Sequence, residues 1–177
     1  EPDGRIMPWS DDRRYYSRLY AASQDGRRIA IGVTNDHNRE EVWVADLQRH
    51  ELSRTLSSTT AEFNFPCLSP DGSLIVYRLQ STDSSNGIYV QRTDGMKTAV
   101  RLLSSPPDGS IRYYPIGWST DGSTVYMDKW IGNRAGLASL RVVPPRDTAA
   151  RDLFRREDSQ AMNGTPSPDG RWLGFQW

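Results

Sequence analysis

The 177 residues carry 22 basic and 22 acidic side chains, with 36% hydrophobic and 25% charged residues, the balance of a chain long enough to bury a core of its own. A formal net charge of +0 excludes a global field favouring nucleic acid, an anionic membrane or a strongly charged partner. Cys67 is the only cysteine, which excludes an internal disulfide and a cysteine-built metal site, and no apolar stretch approaches the roughly 18 residues of a membrane span.

In chain order, the first expected strand holds Tyr15-Tyr16 and ends near Ala22, before the turn Ser23-Gln24-Asp25-Gly26. An apolar run follows at once (Ile29-Ala30-Ile31), then a second (Val42-Trp43-Val44), then Arg54-Thr55-Leu56. The same succession returns after Ser69-Pro70-Asp71-Gly72, with Leu74-Ile75-Val76-Tyr77, Ile88-Tyr89-Val90 and Arg101-Leu102-Leu103. It returns again after Ser119-Thr120-Asp121-Gly122, with Val125-Tyr126-Met127, Leu137-Ala138-Ser139-Leu140 and Arg151-Asp152-Leu153. A last turn, Ser167-Pro168-Asp169-Gly170, is followed by Trp172-Leu173-Gly174-Phe175 alone. The turn aspartates lie 46, 50 and 48 residues apart by subtraction (71−25, 121−71, 169−121), the period of a repeat built from supersecondary units.

Each Ser-x-Asp-Gly predicts a three-residue hairpin loop: proline or its substitute at the first central position of a type I turn, Asp at the second, Gly in the left-handed conformation. Successive apolar residues in the strand after the turn predict a strand covered on both faces. A helical reading fails because 14 Gly and 11 Pro interrupt every 3.6-residue periodicity; the one candidate, 148–160, carries the Arg-Leu phase of a strand. The fold class expected is therefore all-β: β-propeller blades of four antiparallel strands, three complete and a partial fourth, over 15–56, 63–103, 113–154 and 163–177, all one domain spanning 1–177.

Ser69-Pro70-Asp71-Gly72 with Leu74-Ile75-Val76-Tyr77, Gly87-Ile88-Tyr89-Val90 and Asp94-Gly95 resembles the repeat of TolB-like propellers, also called WD40-like. Tyr15-Tyr16 and Glu41-Val42-Trp43-Val44-Ala45-Asp46-Leu47 resemble most the propellers attached to bacterial Ser/Thr protein kinases. The resemblance covers nearly the whole chain and implies a bacterial, non-catalytic module that binds protein or peptide, as scaffold or sensor. It also implies a periplasmic or extracytoplasmic compartment. The alternative it leaves open is the propeller portion of a larger enzyme, such as a prolyl-oligopeptidase-type peptidase, with the catalytic residues outside this chain.

Propellers close with four to eight blades, and one copy does not supply them. Either the chain is a piece of a longer protein, as its opening at Glu1 rather than Met suggests, or two copies complete a ring as a homodimer. Residues 4–9 could add a strand to the preceding unit.

Chemistry-bearing patterns are sparse. Gly117-Trp118-Ser119-Thr120-Asp121 lacks the second glycine of a nucleophile elbow, so Ser119 reads as turn chemistry. His37 and His50, the only histidines, lack a further soft ligand for zinc. The Asp-Gly turns do not place oxygens as a calcium loop does, and Asn163-Gly164-Thr165 reads as a chance glycosylation match because Pro166 follows. Arg13-Arg14, Arg27-Arg28 and Arg155-Arg156 are interspersed with acids, as on a solvated rim, with no aromatic-laced basic stripe for nucleic acid. No cofactor or metal is expected.

What remains is partner binding. Loops joining second to third strands, and blade to blade, gather on one face of a propeller; here they are 35–39, 81–86, 130–134, 15–16, 63–65 and 113–114. The candidate contact residues are Trp130, Tyr15, Tyr16, Tyr113, Tyr114 and His37, side chains of the types that dominate interfaces. Trp130 is expected in a loop as an exposed anchor, whereas the tyrosine pairs could instead pack between blades near the axis.

Overall fold

The structure, a computed structural model, describes residues 9, 11, 13–81, 84–144, 146–156 and 160–177, and of 17–20 the backbone only. The expected strand at 4–9 lies outside the described residues except for Trp9, whose ring stacks on His50 at 5.9 Å.

Fourteen strands form four antiparallel sheets, with no helix among the described residues. The first contains β1 (Tyr15–Ala22), β2 (Arg28–Thr34), β3 (Glu40–Asp46) and β4 (Glu51–Leu56); the second β5 (Glu62–Leu68), β6 (Leu74–Gln80), β7 (Gly87–Arg92) and β8 (Val100–Ser104). The third contains β9 (Ile111–Trp118), β10 (Thr124–Ile131), β11 (Arg134–Arg141) and β12 (Arg151–Phe154), and the fourth only β13 (Met162–Pro166) and β14 (Leu173–Gln176). Each complete sheet is a simple meander in chain order. Segment 148–160 contributes the strand β12 rather than a helix.

The first strand of each sheet faces its counterparts: β1 packs on β5, β5 on β9 and β9 on β13. Meanders arranged with their first strands inward are the blades of a β-propeller. Alternation along β6 shows why its apolar residues run in succession. Ile75 and Tyr77 join Ala30, Val42 and Val44 in the core between the first and second blades. Val76, between them, joins Val125, Met127 and Trp118 in the core between the second and third. Each such buried side chain stabilises by roughly 1.5–3 kcal/mol relative to exposure, so the blades hold one another rather than folding separately.

Every Ser-x-Asp-Gly turn repeats one hydrogen-bond pattern. The Ser hydroxyl donates to its Asp Oδ1 at 2.6, 2.7, 2.5 and 2.6 Å in the four copies. That oxygen also accepts the N–H two residues on, and the Gly takes φ of 69°, 67°, 67° and 69°, which glycine adopts without steric cost. The loop is one residue longer than the expected three. Ser23 N–H donates to Arg28 O, but the return bond from Arg28 N–H goes to the Ser23 hydroxyl at 2.9 Å. A side-chain oxygen thus replaces a backbone carbonyl in the closing pair, and the same substitution occurs at Leu74, Thr124 and Trp172.

These turns also join neighbouring blades. Asp25 N–H donates to Pro70 O and Arg28 Nη1 to Gly72 O at 2.8 Å, while Gln24 Nε2 of the first blade reaches Pro168 O of the fourth at 2.7 Å. At the opposite end, Ser105 N–H donates to Asn86 O, Gly132 N–H to Ser110 O, and Gln160 Nε2 to Asn133 O. The loops between second and third strands therefore sit beside the blade-to-blade links, on the face away from the turns.

Candidate functional site

The inward strands β5, β9 and β13 each carry a bulge six or so residues before the turn aspartate. Phe65 and Asn163 occupy matching places in β5 and β13, with φ of 53° and 55°. Asn tolerates this left-handed backbone, whereas for Phe it is an outlier. The bulges turn side chains toward the loop-rich face, and between the third and fourth blades they leave a cavity of about 320 Å³. Phe65, Tyr114 and Trp130 form its aromatic walls, Ile116 and Met162 its aliphatic ones, and Arg112, Asp128 and Asn163 its polar groups.

Tyr114 meets Phe65 edge-on at 4.9 Å, with the Arg78 guanidinium 4.9 Å over its ring. The Arg112 guanidinium lies 5.6 Å over the Trp130 ring, and its Nη2 donates to Gly132 O at 2.7 Å. Its Nε is buried with no hydrogen-bond partner among the described residues. Burial holds Arg78 below the usual guanidinium range, opposed by Tyr114 and reinforced by the nearby Arg112 charge.

Asp128, only 6% exposed, accepts the Asn163 N–H at 2.9 Å and the Gly164 N–H at 3.5 Å. Burial raises its pKa, and these two amides partly offset the shift. It fastens the bulge of β13 to β10, and Gly164 permits the fit, since a Cβ there would lie 2.3 Å from Ile116 Cδ1.

The structure places the six expected contact residues differently from one another. Trp130 is not in a loop: the two-residue turn Gly132-Asn133 lets the ladder run on to Ile131 opposite Arg134. The side chain is consequently half-buried on β10, not an exposed anchor. Tyr113 is buried in the core between the second and third blades. Tyr114, pointing to the other face of the same strand, reaches the cavity. Tyr15 is 73% exposed and Tyr16 39% exposed, so neither is buried between blades as Tyr113 is. Tyr15 borders a separate open groove with Trp43 and Glu41, where the Trp43 Nε1 donates to Glu41 at 3.0 Å and Arg54 pairs with it at 3.4 Å. His37 is exposed, its loop closed by Asn35 Oδ1 accepting the N–H groups of His37 and Arg39, and it shares a small recess with Ser58 and Thr59.

Tyr114 and Trp130 are thus brought together; the others are not. Arg112, Asp128 and Asn163 escaped the sequence reading as site residues, and Phe65, in the expected binding-face segment 63–65, was not singled out within it. Asp128 had a visible signal, a carboxylate directly after the apolar run Val125-Tyr126-Met127. Burial pushes the Cys67 thiol up to about 12, away from the thiolate form. No group of three metal-ligating side chains occurs among the described residues.

No family model matches the chain, and no curated protein matches it. Solved structures do. TolB from Acinetobacter baumannii superposes with a TM-score of 0.71 at 17% identity, over 94% of this chain and 39% of that one. A chain of the nidogen/laminin complex gives 0.66 at 14% identity, over 92% and 56%. A structure from a study of two prolyl endopeptidases gives 0.59 at 18% identity, over 92% and 24%. The TolB-like propeller fold is shared, and this chain spans less than two thirds of the length of each.

Proposed function

We propose that this propeller is a non-catalytic module that binds a protein or peptide segment on its loop-rich face, with the cavity of Phe65, Tyr114, Trp130 and Arg112 as the anchor point. The observation that carries this reading is the concentration of aromatic and arginine side chains in one recess beside the axis, the residue types that supply most interface energy. The nidogen/laminin complex, a neighbour in fold, is itself an assembly of proteins. A sensor or scaffold role beside a bacterial kinase follows from the resemblance of Tyr15-Tyr16 and the Glu41–Leu47 strand.

The reading is tested by selecting peptides from a display library on the immobilised chain and measuring their affinity for Phe65→Asn. Asn suits the positive φ of that position and removes one aromatic wall, so the fold should persist while affinity drops about tenfold or more. Failure to select any peptide would overturn the reading.

The second reading, the propeller part of a larger peptidase, draws on the fold shared with the prolyl endopeptidase structure. A nucleophile-elbow motif in adjoining coding sequence would favour it, and a kinase signature upstream would favour the first. A homodimer that closes one ring from two copies would double the 20.1-kDa mass of the chain in sedimentation equilibrium.

A further inference from the structure

The cavity between the third and fourth blades has a charge pattern that narrows what it can hold. Arg112 lines it with its guanidinium over the ring of Trp130, and Arg78, outside the lining and felt by the Glu62 charge, stands over the ring of Tyr114. Neither has a carboxylate within salt-bridge distance among the described residues. The one acid in the cavity, Asp128, spends both oxygens on the backbone of β13 and is shifted by burial toward its neutral form. Arg112 Nη2 donates to Gly132 O, a neutral acceptor that leaves the guanidinium charge uncompensated. An anion is what this arrangement lacks.

The volume sets the size. At about 320 Å³ the cavity lies at the low end of the roughly 300–1,000 Å³ typical of small-molecule sites, room for one large side chain and an adjoining group. Three aromatic walls favour a flat apolar body, which stacks or meets them edge-on. Guanidinium binds carboxylate through paired donors, a geometry lysine cannot offer.

We infer that the cavity recognises a peptide carboxylate, at a chain terminus or on an acidic side chain, together with an adjacent aromatic residue, Arg112 receiving the carboxylate and Phe65, Tyr114 and Trp130 the ring. The inference rests on the peptide-binding reading above and specifies its ligand. Charge complementarity selects the carboxylate, and the aromatic lining selects its neighbour.

Three probes of one shape separate the possibilities: N-acetyl-tryptophan carries a carboxylate, N-acetyl-tryptophanamide is neutral, and tryptamine is cationic. Titration of each, followed by NMR shifts of the protein's indole and arginine side-chain resonances, should show N-acetyl-tryptophan binding at least about fivefold more tightly than the amide, and tryptamine weakest. Arg112→Gln should weaken the acid about tenfold or more and abolish its advantage over the amide. Arg112→Lys, which keeps the charge and loses the fork, should fall between.

Equal binding of acid and amide, or indifference to Arg112→Gln in a variant whose thermal unfolding matches the parent, would overturn the inference. Selected peptides that bind Arg112→Gln as well as the parent would remove this ligand chemistry and leave the binding-module reading standing. A library that yields no peptide, beside clear N-acetyl-tryptophan binding, would do the reverse.

Discussion

The second and fourth blades share the same four turn residues, Ser-Pro-Asp-Gly, and continue with similar apolar runs, yet those runs lie in opposite environments. Ile75, Val76 and Tyr77 of β6 are buried, whereas Trp172 beside β14 is 71% exposed and Phe175 within it is 37% exposed. The turns themselves hardly differ: Ser69 to Asp71 measures 2.7 Å and Ser167 to Asp169 2.6 Å. Local hydrogen bonds therefore make the hairpin, and neighbouring blades make the core. The second blade has two neighbours; the fourth has one, and its exposed Phe175 and Trp177 gather with Phe154 of the third at ring distances of 5.1 and 5.4 Å.

If burial resides between blades, matched truncations should separate the two regions widely. Ile75→Ala should cost about 2–5 kcal/mol, the range for large-to-small changes in a closed core, read from denaturant unfolding. Leu173→Ala, in the corresponding stretch of β14, should cost less than half as much, because the strand's outer edge has no sheet partner among the described residues. Equal losses would mean that the fourth blade is packed as tightly as the second.

Glycines extend the comparison at smaller magnitude. A Cβ at Gly87 would sit 2.1 Å from the backbone oxygen of Leu103, while one at Gly174 meets only Thr165 O at 3.8 Å. Gly87→Ala must push β7 away from β8 and should cost about 1–3 kcal/mol as overpacking does. Gly174→Ala should be neutral or stabilise by about 0.4–1 kcal/mol through the unfolded chain. Thermal unfolding of the two variants side by side decides it.

The repeat made the fold legible because its cause is local: each turn is written in four contiguous residues, and the phase of the apolar runs follows from it. The arrangement of blades was legible from the same period. The candidate site was only half so. Tyr114 could be picked out as an aromatic near a loop, but whether it or Tyr113 faces the cavity depends on strand register, and the bulges that set the register leave no composition signal. Trp130 was misplaced because Gly132-Asn133 resembles a longer loop, when it is a two-residue turn carrying a ladder to its end. Arg112 and Asp128 look like surface charges until the third dimension places one against an indole and the other against a bulged strand.

Acid separates the turn aspartates from Asp128. The Ser hydroxyl, and then backbone N–H donors, hold Asp25, Asp71, Asp121 and Asp169 below the ordinary 3.8, Asp121 down to about 2. A carboxylate whose folded pKa is depressed contributes stability above its unfolded pKa and loses it as pH falls through the folded value. The melting temperature should therefore drop between about pH 4 and pH 2, and Asp121→Asn should flatten that drop while lowering the melting temperature at pH 7. Asp128, with its pKa raised by burial, works in the opposite sense: stability falls as pH rises from the unfolded value of 3.8 through the raised folded one, and Asp128→Asn should remove that fall. Asp169→Asn sharpens the contrast between blades. It keeps the Ser and backbone N–H bonds of Asp121 but lacks the Ser123 side-chain donor, so if the turn is a local device Asp169→Asn should flatten the acid limb too, by less than Asp121→Asn. A flattening confined to Asp121→Asn would show that the turn's carboxylate acts only where a full blade couples it to the core.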